Sequence, residues 1–130
     1  MATMKLKVKT DDVEFGTNIL KVRVPKQLRN KVKCGVDYID SALGGEGFTP
    51  SAVTFFTGTP GSGKTTMMLK MADRLTKRGA LVVFNTAEES LFQVKLVAER
   101  LNLKHGFHAG QETSVPDLLE YCTVLRNKRG

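Results

Sequence analysis

A glycine-rich loop between an apolar run and a long helical pattern constrains the fold of this chain more than any other feature. The residues from Gly58 to Thr65 read Gly-Thr-Pro-Gly-Ser-Gly-Lys-Thr and fit the Walker A pattern G-x-x-x-x-G-K-[ST] without a mismatch. Backbone N–H groups in such a loop form a nest for anions, and its glycines let phosphate oxygens approach the backbone. The loop therefore predicts a site for the phosphates of a nucleoside triphosphate, most simply ATP with Mg²⁺.

The residues of the loop have separate predicted roles. The helix that follows adds the positive end of its dipole to the anion site. Lys64 is expected to reach the β- and γ-phosphates and to act in catalysis, and the Thr65 hydroxyl is expected to ligate Mg²⁺. The predicted nucleotide-binding residues are Gly58, Thr59, Pro60, Gly61, Ser62, Gly63, Lys64, Thr65 and Thr66.

The segments around the loop alternate between strand and helix patterns. Continuous apolar runs indicate buried strands, and apolar residues at helical spacing indicate helices. The predicted strands lie at 19–24, 52–57, 80–84 and, as a short extended piece, 106–109. The predicted helices are a short one capped by Asp37 and ended by Gly44-Gly45, then 64–78, 90–101 and a last one from Pro116. This order predicts an α/β fold with parallel sheet strands and flanking helices.

Two acids, Glu88 and Glu89, follow the predicted strand at 80–84. Parallel α/β sheets bind ligands beyond the carboxyl ends of their strands, so both acids are expected at the same edge as the loop. A carboxylate there could orient and deprotonate a water aimed at the γ-phosphate. Alternatively, both acids favour the start of the next helix, where the dipole stabilises negative charge. The residues alone leave both interpretations open.

Positive charge is concentrated near the N-terminus. Residues 1–33 contain nine Lys or Arg against three acids, so this segment carries +6 of the net charge of +7. Such a segment could follow a polyanion such as DNA by releasing counterions, or it could be a solvated, solubilising stretch. No apolar run approaches the roughly 20 residues that span a bilayer. Because Met1 to Thr10 also lacks the apolar centre of a signal peptide, we expect a cytoplasmic protein outside the membrane.

The residue types that commonly bind metals do not form a recognisable site. Cys34 and Cys122 have no C-x-x-C partner and no histidine at ligand spacing, so we expect reduced, buried or half-buried thiols. His105 and His108 have no third ligand near them in the sequence, and we do not expect them to bind a metal.

The segment 34–45 carries a resemblance to a known family. Its sequence, Cys-Gly-Val-Asp-Tyr-Ile-Asp-Ser-Ala-Leu-Gly-Gly, resembles the start of the core in RecA-like ATPases, where a glycine precedes a short helix ending in Leu-Gly-Gly. The loop, the strand at 80–84 and the run Ala87-Glu88-Glu89-Ser90 follow at the family's spacing. Glu89-Ser90 and the later Ala98-Glu99-Arg100-Leu101 are most similar to the bacterial RadA (Sms) branch.

The resemblance implies both an organisation and a function. A basic leader at 1–33 would precede a partial RecA-like nucleotide-binding domain at 34–130. Glu88 would take the place of the family's catalytic carboxylate, with Glu89 as a helix-start residue. Members of the family use ATP to drive strand exchange or branch migration in DNA recombination and repair. The implied protein is a DNA-dependent ATPase that acts on single-stranded or branched DNA as a homo-oligomeric ring or filament.

Several departures from the family pattern limit this expectation. Pro50-Ser51-Ala52 stands where the family usually has Pro-Gly-Ser, and the four-cysteine zinc finger of RadA proteins has no counterpart. After Val124 no apolar strand ending in Asp follows, so the second metal-site acid of the family is missing. We therefore expect an incomplete core, the N-terminal piece of a longer ATPase, that is marginally stable alone and whose ability to hydrolyse ATP is in doubt. A small-molecule kinase and a non-hydrolysing nucleotide switch are the alternative functions.

Overall fold

In the described part of the chain, four helical segments precede the first strand, after which strands and helices alternate. The computed structural model describes residues 13–129, so the expectation for Met1 to Thr10 lies outside the described residues. In chain order the elements are a 3-10 helix Ile19–Lys21, α1 Lys26–Arg29, α2 Asp37–Ala42, α3 Lys64–Lys77, β1 Val83–Asn85, α4 Leu91–Arg100, β2 His108–Gly110 and α5 Val115–Arg129. None of the helices described is long and apolar enough to cross a membrane.

The two strands form a parallel pair. Their register runs from Val83 opposite His108 to Asn85 opposite Gly110. The connection between them contains α4, as expected because parallel neighbours need a crossover. The predicted α/β class with parallel strands and flanking helices is therefore confirmed. β1 starts later than the predicted strand at 80–84, because its ladder with β2 begins only at Val83.

The helix α3 contributes much of the core. It lies between Gly63 and Gly79, which have left-handed φ angles of 87° and 92°. These angles suit glycine at the two ends of a helix, and the predicted helix and its ending are confirmed. Met71 of α3 packs in one buried cluster with Cys34 and Ile39 of the preceding segment. The core therefore joins α3 to the segment that resembles the start of a RecA-like ATPase.

Two shorter helices begin in different ways. Ser90 caps α4 through a capping box: its Oγ accepts from the Gln93 N–H and the Gln93 side chain accepts from the Ser90 N–H, both at 3.2 Å. The prediction that Asp37 caps α2 is wrong, since Val36 occupies the cap and Asp37 is the first helical residue. Negative charge at that position still favours the helix dipole. Gly44-Gly45 follows α2 with φ angles of 87° and 86°, as predicted for a helix stop.

Two predicted strands do not form among the described residues. Residues 52–57 make no strand, and Val53 and Phe55 are 84% and 86% exposed. A strand needs a neighbour for its N–H and C=O groups, and no described strand pairs with this segment. Residues 19–24 begin instead with the 3-10 helix, in which Asn18 Oδ1 accepts a backbone N–H at 3.0 Å. The apolar pattern favours a strand in both places, but no segment within residues 13–129 pairs with either to form a sheet.

Ser51 has a left-handed φ of 63° just before the segment 52–57. It stands where the RecA-like pattern usually has glycine, which adopts this conformation without a clash between a side chain and the backbone. A residue with a Cβ costs roughly 1–2 kcal/mol there. This departure from the family sequence therefore places backbone strain at the approach to the loop.

Asp40 of α2 holds the turn that precedes its own helix. Its buried carboxylate accepts hydrogen bonds from the N–H groups of Cys34 at 2.9 Å and Gly35 at 3.0 Å. Burial by itself would raise the pKa of Asp40. The hydrogen bonds from Cys34 and Gly35, together with the positive charge of Arg78, outweigh burial and lower this pKa below its ordinary value of 3.8.

We predict that Asp40→Asn destabilises the fold at neutral pH. An amide offers an oxygen to only one of the two N–H groups, so the free energy of unfolding should fall by about 1–3 kcal/mol. Because the pKa of Asp40 is lower in the folded state, its contribution is complete above about pH 4 and is lost as the pH falls through the folded pKa. Urea unfolding followed by circular dichroism should show the difference from wild type shrinking in acid.

The matched control is Asp37→Asn, which removes an exposed carboxylate from the same helix. It should change stability by a few tenths of a kcal/mol, as expected for a charge near a helix start. Equal losses for Asp37→Asn and Asp40→Asn would contradict a specific role of the Asp40 hydrogen bonds.

Candidate functional site

The loop 58–66 makes a tight turn into α3. Gly61 and Gly63 have left-handed φ angles of 80° and 87°, and the Ser62 N–H donates to the Thr59 carbonyl at 3.1 Å. Gly63 occupies the cap position of α3, so the first free N–H groups of the helix belong to the loop. The backbone thus has the turn-then-helix form that creates an anion site at a helix N-terminus.

Gly58 and Lys64 close the loop on itself. A Cβ added at Gly58 would lie 2.6 Å from Ser62 Oγ and 3.4 Å from Lys64 Cδ, so only glycine fits without movement of those side chains. The Lys64 ammonium donates to the Gly58 carbonyl across the loop. The cation therefore lies beside the first residue of the loop in which Lys64 was expected to meet phosphate oxygens.

Thr65 and Glu89 bring the loop together with the end of β1. The Thr65 hydroxyl donates to Glu89 Oε1 at 3.5 Å, across 24 residues of sequence. The Glu89 N–H in turn donates to Thr86 Oγ1 at 3.1 Å, which fixes the backbone after β1. A hydroxyl and a carboxylate thus lie side by side at the edge where the sequence predicted that the acids would meet the loop.

The structure distinguishes the two acids. Glu88 is exposed, whereas Glu89 is half-buried and contacts Thr65. Sequence reasoning placed both acids at the same edge as the loop, and the family resemblance assigned Glu89 to the start of α4; neither predicted the contact with Thr65. The signal that could have indicated it is a threonine three residues before the acid, Thr86, whose hydroxyl can order the turn. The catalytic role of Glu88 stays a prediction.

The other candidate ligands lie apart from this site. Cys34 is buried and Cys122 half-buried, and both are free thiols as predicted; burial raises the pKa of the Cys34 thiol. His105 and His108 are exposed. Within residues 13–129 no group of three or more His, Cys, Asp or Glu side chains could hold a metal ion.

Comparison with known proteins identifies the family. The family model described as "ATPase: KaiC" matches residues 32–109, more than half of the chain, and this range includes the loop, β1 and both acids. The chain belongs to the KaiC-type ATPase family. Its fold is that of a RecA-like P-loop ATPase, although residues 13–129 form only a two-stranded sheet.

This KaiC-type chain is also similar to bacterial proteins named DNA repair protein RadA. It is 40% identical over 67 residues to the one from Mycobacterium tuberculosis, a match that covers 52% of this chain and 14% of that protein. It is 35% identical over 97 residues to the Synechocystis protein, covering 75% and 19%. It is 37% identical over 102 residues to the Chlamydia pneumoniae protein, covering 76% and 22%.

The predicted resemblance to the RecA-like family and its RadA branch is therefore confirmed. The matches span only 14% to 22% of the three relatives. No solved structure gave a significant match. The division into a leader at 1–33 and a domain at 34–130 stays a prediction.

Proposed function

We propose that the loop 58–66 binds the phosphates of ATP together with Mg²⁺, as the nucleotide site of a RadA-like, DNA-dependent ATPase. The observation that carries this proposal is the placement of Lys64 over the loop and of Thr65 beside Glu89. A cation, free helix N–H groups and a hydroxyl–carboxylate pair converge on one edge of the chain. This combination suits a triphosphate and its metal ion.

The phosphates would occupy the concave side of the turn. The backbone N–H groups at the start of α3 would donate to their oxygens, and the helix dipole would favour their negative charge. The Lys64 ammonium, which donates to Gly58 O in the structure, would transfer its hydrogen bond to the β- and γ-phosphates. Thr59, Pro60, Ser62 and Thr66 would shape the wall of the site, as the motif predicts.

The residues at the edge of the site fit Mg²⁺. Mg²⁺ prefers oxygen ligands and is usually held by one or two protein side chains plus phosphates and waters. The Thr65 hydroxyl would be the direct protein ligand. Glu89 Oε1, 3.5 Å from that hydroxyl, would accept a hydrogen bond from the Thr65 hydroxyl or from a bound water. When bound, Mg²⁺ supplies charge neutralisation for the phosphate oxygens.

Glu88 and Glu89 would have different roles. Glu88, exposed at the carboxyl end of β1, would orient and deprotonate the attacking water. Glu89 would orient Thr65 and thereby the metal ion. Lys64 would stabilise the charge that develops on the transferred phosphoryl group.

We predict that Glu88→Gln and Glu89→Gln affect different steps. ATP binding and turnover would be measured for both variants and for wild type, with and without single-stranded DNA. Glu88→Gln should lower turnover by about 10²-fold or more with ATP binding unchanged, as for loss of a general base. Glu89→Gln should weaken the Mg²⁺-dependent part of ATP binding several-fold, because Thr65 loses its charged partner.

The two substitutions are isosteric, so each serves as the control for the other. Wild type that does not bind Mg-ATP would contradict the proposed site outright. Normal turnover by Glu88→Gln together with lost turnover in Glu89→Gln would move the catalytic role from Glu88 to Glu89.

The wider role follows from the relatives. We infer that the chain serves DNA recombination and repair in the cytoplasm, as part of a homo-oligomeric ring or filament on single-stranded or branched DNA. The identity of 31% to 43% with eight proteins named DNA repair protein RadA supports this assignment. The match to an ATPase family favours it over the small-molecule kinase alternative.

A further inference from the structure

Six exposed cations line two clefts beyond the proposed nucleotide site. They come from three parts of the chain: the end of α1, the segment that follows it, and α3 together with its C-terminal cap. Together they line two adjoining clefts of about 490 Å³ and about 460 Å³. We call this surface the basic groove; its cations are Arg29, Lys31, Lys33, Lys70, Arg74 and Arg78.

Specific contacts assemble the groove from distant segments. An antiparallel bridge joins Val32 to Phe48 through two backbone hydrogen bonds of 2.8 and 2.7 Å, which fixes the residues beside Val32. The Arg78 guanidinium donates to the Lys33 carbonyl at 3.3 Å, across 45 residues. It also lies within 3.4–3.6 Å of a Cβ added at Gly35. The cations are therefore held on a folded scaffold and are not simply close in sequence.

The helix α3 supplies one side of the groove. Lys70 and Arg74 lie four residues apart on one face of α3, and Arg78, four residues further, is the C-terminal cap of the helix. Lys64 of the proposed nucleotide site stands at the other end of α3. At about 1.5 Å per residue, Arg78 is roughly 20 Å from Lys64 along the helix axis, so the groove is a separate surface.

The acids of this region neutralise the groove only in part. Glu46 makes one long ion pair with Lys31, at 4.0 Å, and Asp37 is exposed on the rim. Asp73 and Asp40 are buried and accept backbone N–H groups: Asp73 from residues 104 and 105, Asp40 from residues 34 and 35. Arg78 also attracts Asp40 electrostatically, so the six cations face four carboxylates and two positive charges remain in excess.

An aromatic side chain points to the kind of polyanion. Tyr38, 61% exposed, lines the same cleft as Lys70 and Arg74. Proteins that bind single-stranded nucleic acid combine a basic groove along the phosphate backbone with aromatic rings on which bases stack. A membrane surface would call for a broad apolar face beside the cations, whereas these clefts are lined mostly by polar and charged residues.

We propose that the basic groove binds the phosphate backbone of single-stranded DNA, with Tyr38 as a stacking platform for a base. The inference rests on the proposed function in taking DNA as the polyanion. The surface itself rests on the six cations and the contacts that hold them. Three of the six cations, Arg29, Lys31 and Lys33, belong to the end of the basic segment 1–33. The other three belong to α3 and its C-terminal cap.

The test compares two charge-neutralising double variants of the full chain. Arg29→Gln/Lys33→Gln removes two charges from the groove, and Lys95→Gln/Arg100→Gln removes one Lys and one Arg from the exposed surface of α4. Binding of a labelled oligothymidine is followed by fluorescence anisotropy without nucleotide at several salt concentrations. The groove variant should bind on the order of tenfold more weakly at low salt, and its salt slope should fall by about 1.4.

The control variant should bind like wild type, and the charge-preserving Arg29→Lys/Lys33→Arg should retain binding. Equal losses in the groove variant and the control would overturn the proposal, because net charge alone would then explain binding. So would a groove variant that loses affinity for phosphatidylserine vesicles but not for DNA. Mg-ATP binding is measured on the same proteins, so a failed nucleotide site is distinguished from a failed groove.

Discussion

Lys64→Ala is expected to weaken the binding of Mg-ATP by roughly 10- to 100-fold. The ammonium lies over the loop, where it donates to the Gly58 carbonyl and would instead meet the phosphates of bound ATP. A hydrogen bond from a charged group contributes about 1.5–3 kcal/mol, which corresponds to that range of affinity. Calorimetric titration with Mg-ATP measures the effect, and removal of Mg²⁺ with a chelator should weaken binding in wild type as well.

Lys77→Ala is the matched control for this experiment. Lys77 is an exposed lysine at the far end of the same helix, so its removal changes net charge and helix composition in the same way. It should leave Mg-ATP binding unchanged. If Lys64→Ala bound as tightly as wild type, the phosphates would not lie in the loop 58–66, whatever the family of the chain.

Gly47→Ala should be the most destabilising of the glycine substitutions, with a loss of about 3 kcal/mol or more. Gly47 is buried with φ of 92°, and a Cβ there would lie 2.2 Å from the Val32 carbonyl oxygen and 2.7 Å from Lys33 Cα. These atoms belong to the backbone, so they cannot rotate away from the new Cβ as a side chain could. The substitution adds left-handed strain of about 1–2 kcal/mol and breaks the Val32–Phe48 bridge, whose two hydrogen bonds are each worth about 1 kcal/mol.

Gly45→Ala measures the cost of the left-handed backbone conformation alone, without a clash of the new Cβ. Gly45 has nearly the same φ, 86°, but no atom lies within 4 Å of an added Cβ. It should cost only the strain, about 1–2 kcal/mol. Urea unfolding of both variants gives the difference directly. A Gly47→Ala protein as stable as Gly45→Ala would show that the bridge between Val32 and Phe48 does not matter to the fold.

Local sequence patterns predicted the longer helices well, whereas α1 and the 3-10 helix were not predicted. α3 buries Leu69, Met71 and Ala72 and lies between two glycines, and α4 buries Val94 and begins at a capping box. These signals are complete within a few residues of chain. The loop before α3 was equally clear, since its glycines, lysine and threonine are contiguous. Strands were predicted less well because a strand is stable only with a partner, and the partner of 52–57 cannot be read from its own residues.

By itself, then, the sequence determined the turn, the helix and the cation of the proposed phosphate site, because each of them depends on backbone conformation over a short stretch. Only the tertiary structure decided which acid meets Thr65, since the return of the chain after β1 places Glu89 there and leaves Glu88 exposed. The tertiary structure also decided which surface carries the cations of the basic groove. The contact of Arg78 with Lys33 joins residues 29–33 to the end of α3, and the bridge at Val32 joins them to Phe48. The first contact links residues 45 positions apart, which the sequence alone does not show.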